Sequence, residues 1–178
     1  GHFVDVGDDG TILGGPSVRT LPPTRAEYET ALRAAGADGW KAGYLPYSII
    51  EDWQQLSIDF AYWRVLTMAQ ADPRQAAHRA WLAADRRRRE AQILQDLGQL
   101  SHFVGDGSQP LHVTVHFNGW GDYPNPGGYT QAKIHAPFEG ELVRGLGLAA
   151  VERRMRPLTL CHCAIECRTA DYLDATAH

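Results

Sequence analysis

The chain has 178 residues and a mass of 19.7 kDa, enough to bury a core without disulfide staples, which excludes a small cross-linked scaffold. With 44% hydrophobic and 21% charged residues and a mean hydropathy of -0.34, its balance is that of a globular protein, and no stretch approaches the ~18 to 20 apolar residues of a membrane span. Seventeen Lys+Arg against 21 Asp+Glu leave a net charge of -4, so no global positive field holds polyanions and any phosphate contact must come from a local site.

Phe3-Val4-Asp5-Val6 reads as a short extended segment, followed from Gly7 to Pro23 by a loop rich in Gly, Asp and Pro. Thr24-Arg25-Ala26-Glu27 is a capping-box pattern, in which a hydroxyl and a carboxylate satisfy free N–H groups, and Gly36 offers the stop. Ser48-Ile49-Ile50-Glu51 repeats the signature. Behind it Ile49, Trp53, Leu56, Phe60 and Trp63 recur at three- and four-residue steps, which predicts a helix with its aromatic stripe in the core. Asp72-Pro73 supplies a cap and a first-turn proline for a long helix or a broken pair reaching towards Gly105, with Ile93, Leu94, Leu97 and Leu100 as its apolar face.

The run Arg86 to Arg89 points in four directions on a helix and is flanked by Asp85 and Glu90, so it predicts a solvated face. From Phe117 to Tyr129 the composition turns to Gly, Pro, Asn and aromatics, a loop long enough to suggest function. Helix resumes near His135 and again after Pro157. Cys161, Cys163 and Cys167 allow one bridge or none, and Cys-x-Cys is tighter than the usual zinc-thiolate spacing. With no repeat, low-complexity tract or linker, residues 1–178 read as a single all-α, mostly helical domain with long loops.

The chemistry concentrates in one stretch. His102, Asp106, His112, His116, His135 and Glu139 fall within 38 residues. A histidine followed four positions later by an acid is expected about once by chance in this composition. It occurs at His102/Asp106, His135/Glu139 and His162/Glu166. Such spacing puts two ligands on one helix face, and imidazole with carboxylate is zinc chemistry, although a structural Asp–His hydrogen bond satisfies the same pattern. His162/Glu166 lies among cysteines with no third ligand nearby and reads as a chance pair.

His102-Phe-Val-Gly-Asp106-Gly-Ser-Gln109-Pro110-Leu111-His112 resembles the central motif of the superfamily that joins the zinc-dependent single-strand nucleases to the zinc-dependent bacterial phospholipases C. His135-x3-Glu139 is similar to its second motif, and His2-Phe3-Val4-Asp5 to the segment that delivers another histidine. The resemblance implies that His2, His102 and Asp106 hold one zinc and that His112, His135 and Glu139 hold a second. Asp106, shared with a third ion, would be a catalytic residue. The remaining ligands of that third site have no counterpart before His2, so the expectation is either a domain incomplete at its N-terminus or a lost third site, with two or three zinc ions in all.

The fold implied is that of the phospholipase C and zinc nuclease type, the activity phosphodiester hydrolysis, and the location secreted or periplasmic. Single-stranded nucleic acid is the expected substrate, because no basic amphipathic surface helix is visible and the chain has only two lysines. A phospholipid headgroup, and a metal-binding homologue without turnover, are the alternatives. Trp120, Tyr123 and Tyr129 in the long loop could stack a base or bracket a headgroup, with plain packing of the loop as the stronger reading, and His116 is a substrate contact or a spare surface or core histidine. Asp5 is a candidate to orient His2. No stable protein partner is implied.

Overall fold

Thr24 opens the first helix as its sequence predicts. Its hydroxyl accepts the Glu27 N–H at 3.2 Å while the Glu27 carboxylate accepts the Thr24 N–H at 3.1 Å, closing the capping box ahead of α1 (Arg25–Ala34). The computed structural model describes residues 1–157 and 162–178. After α1, Gly36 reverses the chain at φ 75°, and a single turn, α2 (Gly39–Ala42), follows with Asp38 accepting the Trp40 N–H. α3 (Leu45–Ala71) starts one turn earlier than Ser48 and Glu51 predict. Pro46 sits in its first turn, where a missing N–H costs nothing, and the Ser48 hydroxyl donates to the Gly1 carbonyl instead of capping.

α3 and α4 (Arg79–Gly107) form a long antiparallel hairpin joined by a 3-10 turn, Pro73–His78, that Asp72 caps: the broken pair. Gln99 donates to Asp52, Arg89 to Asp59 and Trp63 to Glu90 across the seam. This polar seam changes the fate of the predicted stripe. Ile49 and Leu56 are buried, but Trp53 and Phe60 are exposed, as are Leu94 and Leu97 on α4. Arg86 and Arg88 pair with Glu90 and Asp85 on the surface, whereas Arg89 turns inward onto fully buried Asp59. The arginine run is therefore a solvated face only in part.

The core lies at the open end of the hairpin, where Val4, Ile12, Tyr28, Leu45, Val113 and Leu173 meet; Leu173 belongs to α8 (Ile165–Ala177). Through it runs the N-terminal segment. Val4 N–H donates to the His112 carbonyl and Asp5 N–H to Ala42, while the Phe3 carbonyl accepts from Leu45 and that of Val6 from Val115. Gly43 has φ 82°, and a Cβ there would collide with the Phe3 carbonyl, so only glycine lets the two segments lie this close.

A long connection then leads to α5 (His135–Pro137), a π-turn over Phe138–Leu142, α6 (Val143–Leu146) and α7 (Leu148–Glu152). Among the described residues no sheet forms, only isolated bridges such as Val6 with Ile12, and the fold is all-α. None of the described helices is long and apolar enough to cross a membrane.

Candidate metal centre

Two local structures aim three side chains at one point. Gln109 caps a 3-10 turn, Pro110–His112, its side-chain carbonyl accepting the Leu111 N–H, and this short turn presents His112. The helical run from His135 has no cap of its own, so Asn118 reaches from the loop to accept the His135 N–H at 3.2 Å. Glu139 follows one turn later, inside the π-turn, on the same face as His135.

Glu139 Oε1 collects all three partners. His112 Nε2 stands 2.9 Å away, His135 Nε2 3.1 Å, and Gln109 Nε2 donates at 2.9 Å. Hydrogen bonds from Gln109 and His112, with the neighbouring His135 charge, hold the Glu139 carboxyl down to about 2. The ligand atoms of His112, His135 and Glu139 lie within 4.8 Å of one another, and no other described trio of His, Cys, Asp or Glu does so. The His112 side chain is 11% exposed, while Glu139 faces open solvent.

The donor chemistry suits a cation. His135 Nδ1 lies 2.8 Å from the Phe117 carbonyl, an acceptor, so Nδ1 carries a proton and a ring with only that one proton would turn a bare Nε2 lone pair towards an anionic oxygen. Two lone pairs facing each other are relieved by a second ring proton or by a metal ion between them. A histidine fixed through its other nitrogen by a backbone carbonyl is the arrangement metal ligands adopt.

His2 stands beside this trio, its ring edge-on to His112 at 5.3 Å between centroids. Both line a cavity of about 470 Å³ together with Phe3, Asp5, Lys41 and Phe117. Burial pushes the Asp5 carboxyl up to about 6. His102 and Asp106 form their own couple, Nε2 to Oδ2 3.2 Å, with the histidine 63% and the acid 16% exposed. Asp106 Oδ2 is buried and makes no hydrogen bond, so this oxygen also lacks a partner of good geometry. The couple does not join the His112 group within ligand distance.

The aromatic loop packs on itself. His116 stacks on Trp120 at 3.7 Å and Trp120 on Tyr129 at 4.5 Å between centroids. Two rings cannot share one indole face at such distances, so Trp120 is sandwiched. His116 spans from the Trp120 carbonyl to Asp8, 3.0 Å on either side. Glu166 accepts from Gln54, and His162 is exposed. Cys163 is disulfide-bonded and Cys167 is free, while Cys161 lies outside the described residues.

The roles of two residues of the site escape the sequence patterns. Gln109, present in the central motif but given no role there, fixes Glu139. Lys41 reaches the cavity from a distant turn, and no motif marks it. Comparison with protein-family models, curated proteins and solved structures finds no match to the chain.

Proposed function

We propose that this protein is a zinc-dependent hydrolase of phosphodiester bonds that acts on single-stranded nucleic acid. The observation that carries the reading is the convergence of His112, His135 and Glu139 on one point at the wall of an open cavity. The resemblance of the His102 to His112 segment to the zinc nuclease and phospholipase motif supports the choice of metal and reaction. His112, His135 and Glu139 would hold one zinc; His2, His102 and Asp106 are the residues for a second.

Zinc would supply Lewis acidity, making water nucleophilic near neutral pH and offsetting charge on the phosphoryl oxygens. The chain's own residues supply geometry. The Phe117 carbonyl fixes the His135 tautomer, and Gln109 holds the Glu139 carboxylate in register. Phe3, Leu111 and Phe117 give the cavity its apolar lining. Asp5, whose carboxyl burial raises to about 6, lines the same cavity.

The test uses protein purified after growth with zinc. Elemental analysis should find two or more equivalents, and the protein should cleave single-stranded DNA or RNA, lose that activity to EDTA and recover it with zinc. Cleavage of phosphatidylcholine vesicles with nucleic acid left intact would make it a phospholipase C. Bound zinc without turnover of any diester would make it a metal-binding protein, and less than one equivalent would refute the metal centre.

A further inference from the structure

We infer that α2 is the strand-binding edge of this site, where Lys41 takes a phosphate adjacent to the one cleaved and Trp40 stacks the neighbouring base. The inference rests on the phosphodiesterase reading and adds the substrate's chemistry: a single strand carrying at least two phosphates and an unpaired base.

Lys41 lines the cavity that also holds His2, Asp5, His112 and His135. Most cations near carboxylates in this protein are already engaged: Arg19, Arg25, Arg33, Arg74 and Arg89 each pair with an acid. Among the described residues the Lys41 side chain has neither an ion pair nor a hydrogen bond, so its charge is free for a ligand at the cavity that also holds the donor histidines. A second phosphate would neutralise it. A cationic headgroup such as choline would be repelled, which sets a polynucleotide apart from phosphatidylcholine.

Trp40 is the most exposed indole described, ahead of Trp81 and Trp53. It is 78% exposed, more than any other large apolar side chain described, whereas both faces of Trp120 are covered by His116 and Tyr129. Neighbouring side chains on a helical turn diverge by about 100°. Lys41 thus lines the cavity while Trp40 borders a second groove of about 350 Å³ with Tyr44, Asp38 and the Arg25–Glu29–Arg33 ion-paired cluster. Tyr44 meets the indole edge-on at 5.8 Å and braces it. The mount is firm, because Asp38 accepts the Trp40 N–H and the Ala42 carbonyl accepts from Asp5, which ties α2 to the cavity wall. A strand leaving the donor trio over Lys41 would therefore meet Trp40 next.

The experiment compares oligothymidylate with bis(p-nitrophenyl) phosphate, a diester too short to reach α2, using zinc-loaded protein. In Lys41→Gln, kcat/KM should fall about tenfold more on the oligonucleotide than on the small diester, with zinc content and thermal midpoint retained. The dependence of log KM on log salt should become shallower by about 0.7, and Lys41→Arg should restore both. A slowly cleaved phosphorothioate oligothymidylate should quench tryptophan emission. That quench should be lost in Trp40→Phe, and Trp40→Ala should weaken binding about fivefold or more. Equal losses on the two substrates, or an unchanged oligonucleotide KM in an active enzyme, would overturn the inference and leave the phosphodiesterase reading standing. A wild-type protein that cleaves no diester would overturn both.

Discussion

Glu139 Oε1 receives Gln109, His112 and His135 together, and of these Gln109 alone is neither charged nor a metal donor in the pattern. Its amide holds the carboxylate while its carbonyl holds the turn that carries His112. Gln109→Ala should lower zinc affinity about 10- to 100-fold, measured by competition with a chromogenic chelator, with the helical circular dichroism unchanged. Affinity equal to wild type would show that Glu139 needs no such support. Asp5 gives a second residue-scale expectation. Burial raises its carboxyl from 3.8 to about 6, so the native state favours the protonated acid. That contribution is complete below pH 3.8 and is lost as pH rises through about 6. Asp5→Asn should therefore stabilise the protein by about 1 to 2 kcal/mol at pH 8 and leave it nearly unchanged at pH 4, in paired urea titrations.

At the scale of elements, the α3–α4 hairpin is held by a seam of polar groups. Asp59 is fully buried; desolvation raises its carboxyl, and hydrogen bonds from Gln55, Asp96 and Arg89 outweigh that and hold it low. Asp96 moves the other way, raised by burial and by its hydrogen bond to Asp59. A buried carboxylate stripped of its cation is costly. Arg89→Ala should destabilise the protein by about 3 kcal/mol, read as a shift of the urea midpoint, whereas Arg88→Ala, which removes only a surface pair with Asp85, should shift it by less than about 1 kcal/mol. Equal shifts would count against the inward role of Arg89. Capping chemistry explains why some boundaries were legible: Thr24 with Glu27 and Asp72 with Pro73 act within one turn. Ser48 with Glu51 has the same local grammar but loses its hydroxyl to Gly1, 47 residues away.

For the whole molecule, the candidate centre draws its donors from the Pro110–His112 turn and the run starting at His135, with His2 alongside from the N-terminal segment. Between the donors lies the long loop, and residues 141–149 beyond them are exposed. Zinc binding should thus tie segments that packing alone holds weakly. At 100 times Kd it should add about 2.7 kcal/mol and raise Tm by about 5 to 10 °C, and hydrogen exchange should slow across 113–146. An unchanged Tm at saturating zinc would refute that linkage.

What the amino-acid order determined by itself is local. Helical class, the first helix and the break at Asp72-Pro73 follow from contacts within a turn or two, and so does the meeting of two histidines with the acid four residues later, 3.2 Å for His102–Asp106 and 3.1 Å for His135–Glu139. The same periodicity could not tell which face of α3 is buried, because the polar seam with α4 buries Asp59 while Trp53 and Phe60, the more hydrophobic residues, stay exposed. The grouping of His112 with His135 and Glu139 was legible only through the motif resemblance, and nothing in the sequence told that Trp120 lies between His116 and Tyr129 or that Lys41 lines the cavity beside the donors. These outcomes depend on the path of the chain between segments far apart in sequence, where the fixed period of a helix carries no information and packing of the core decides what meets.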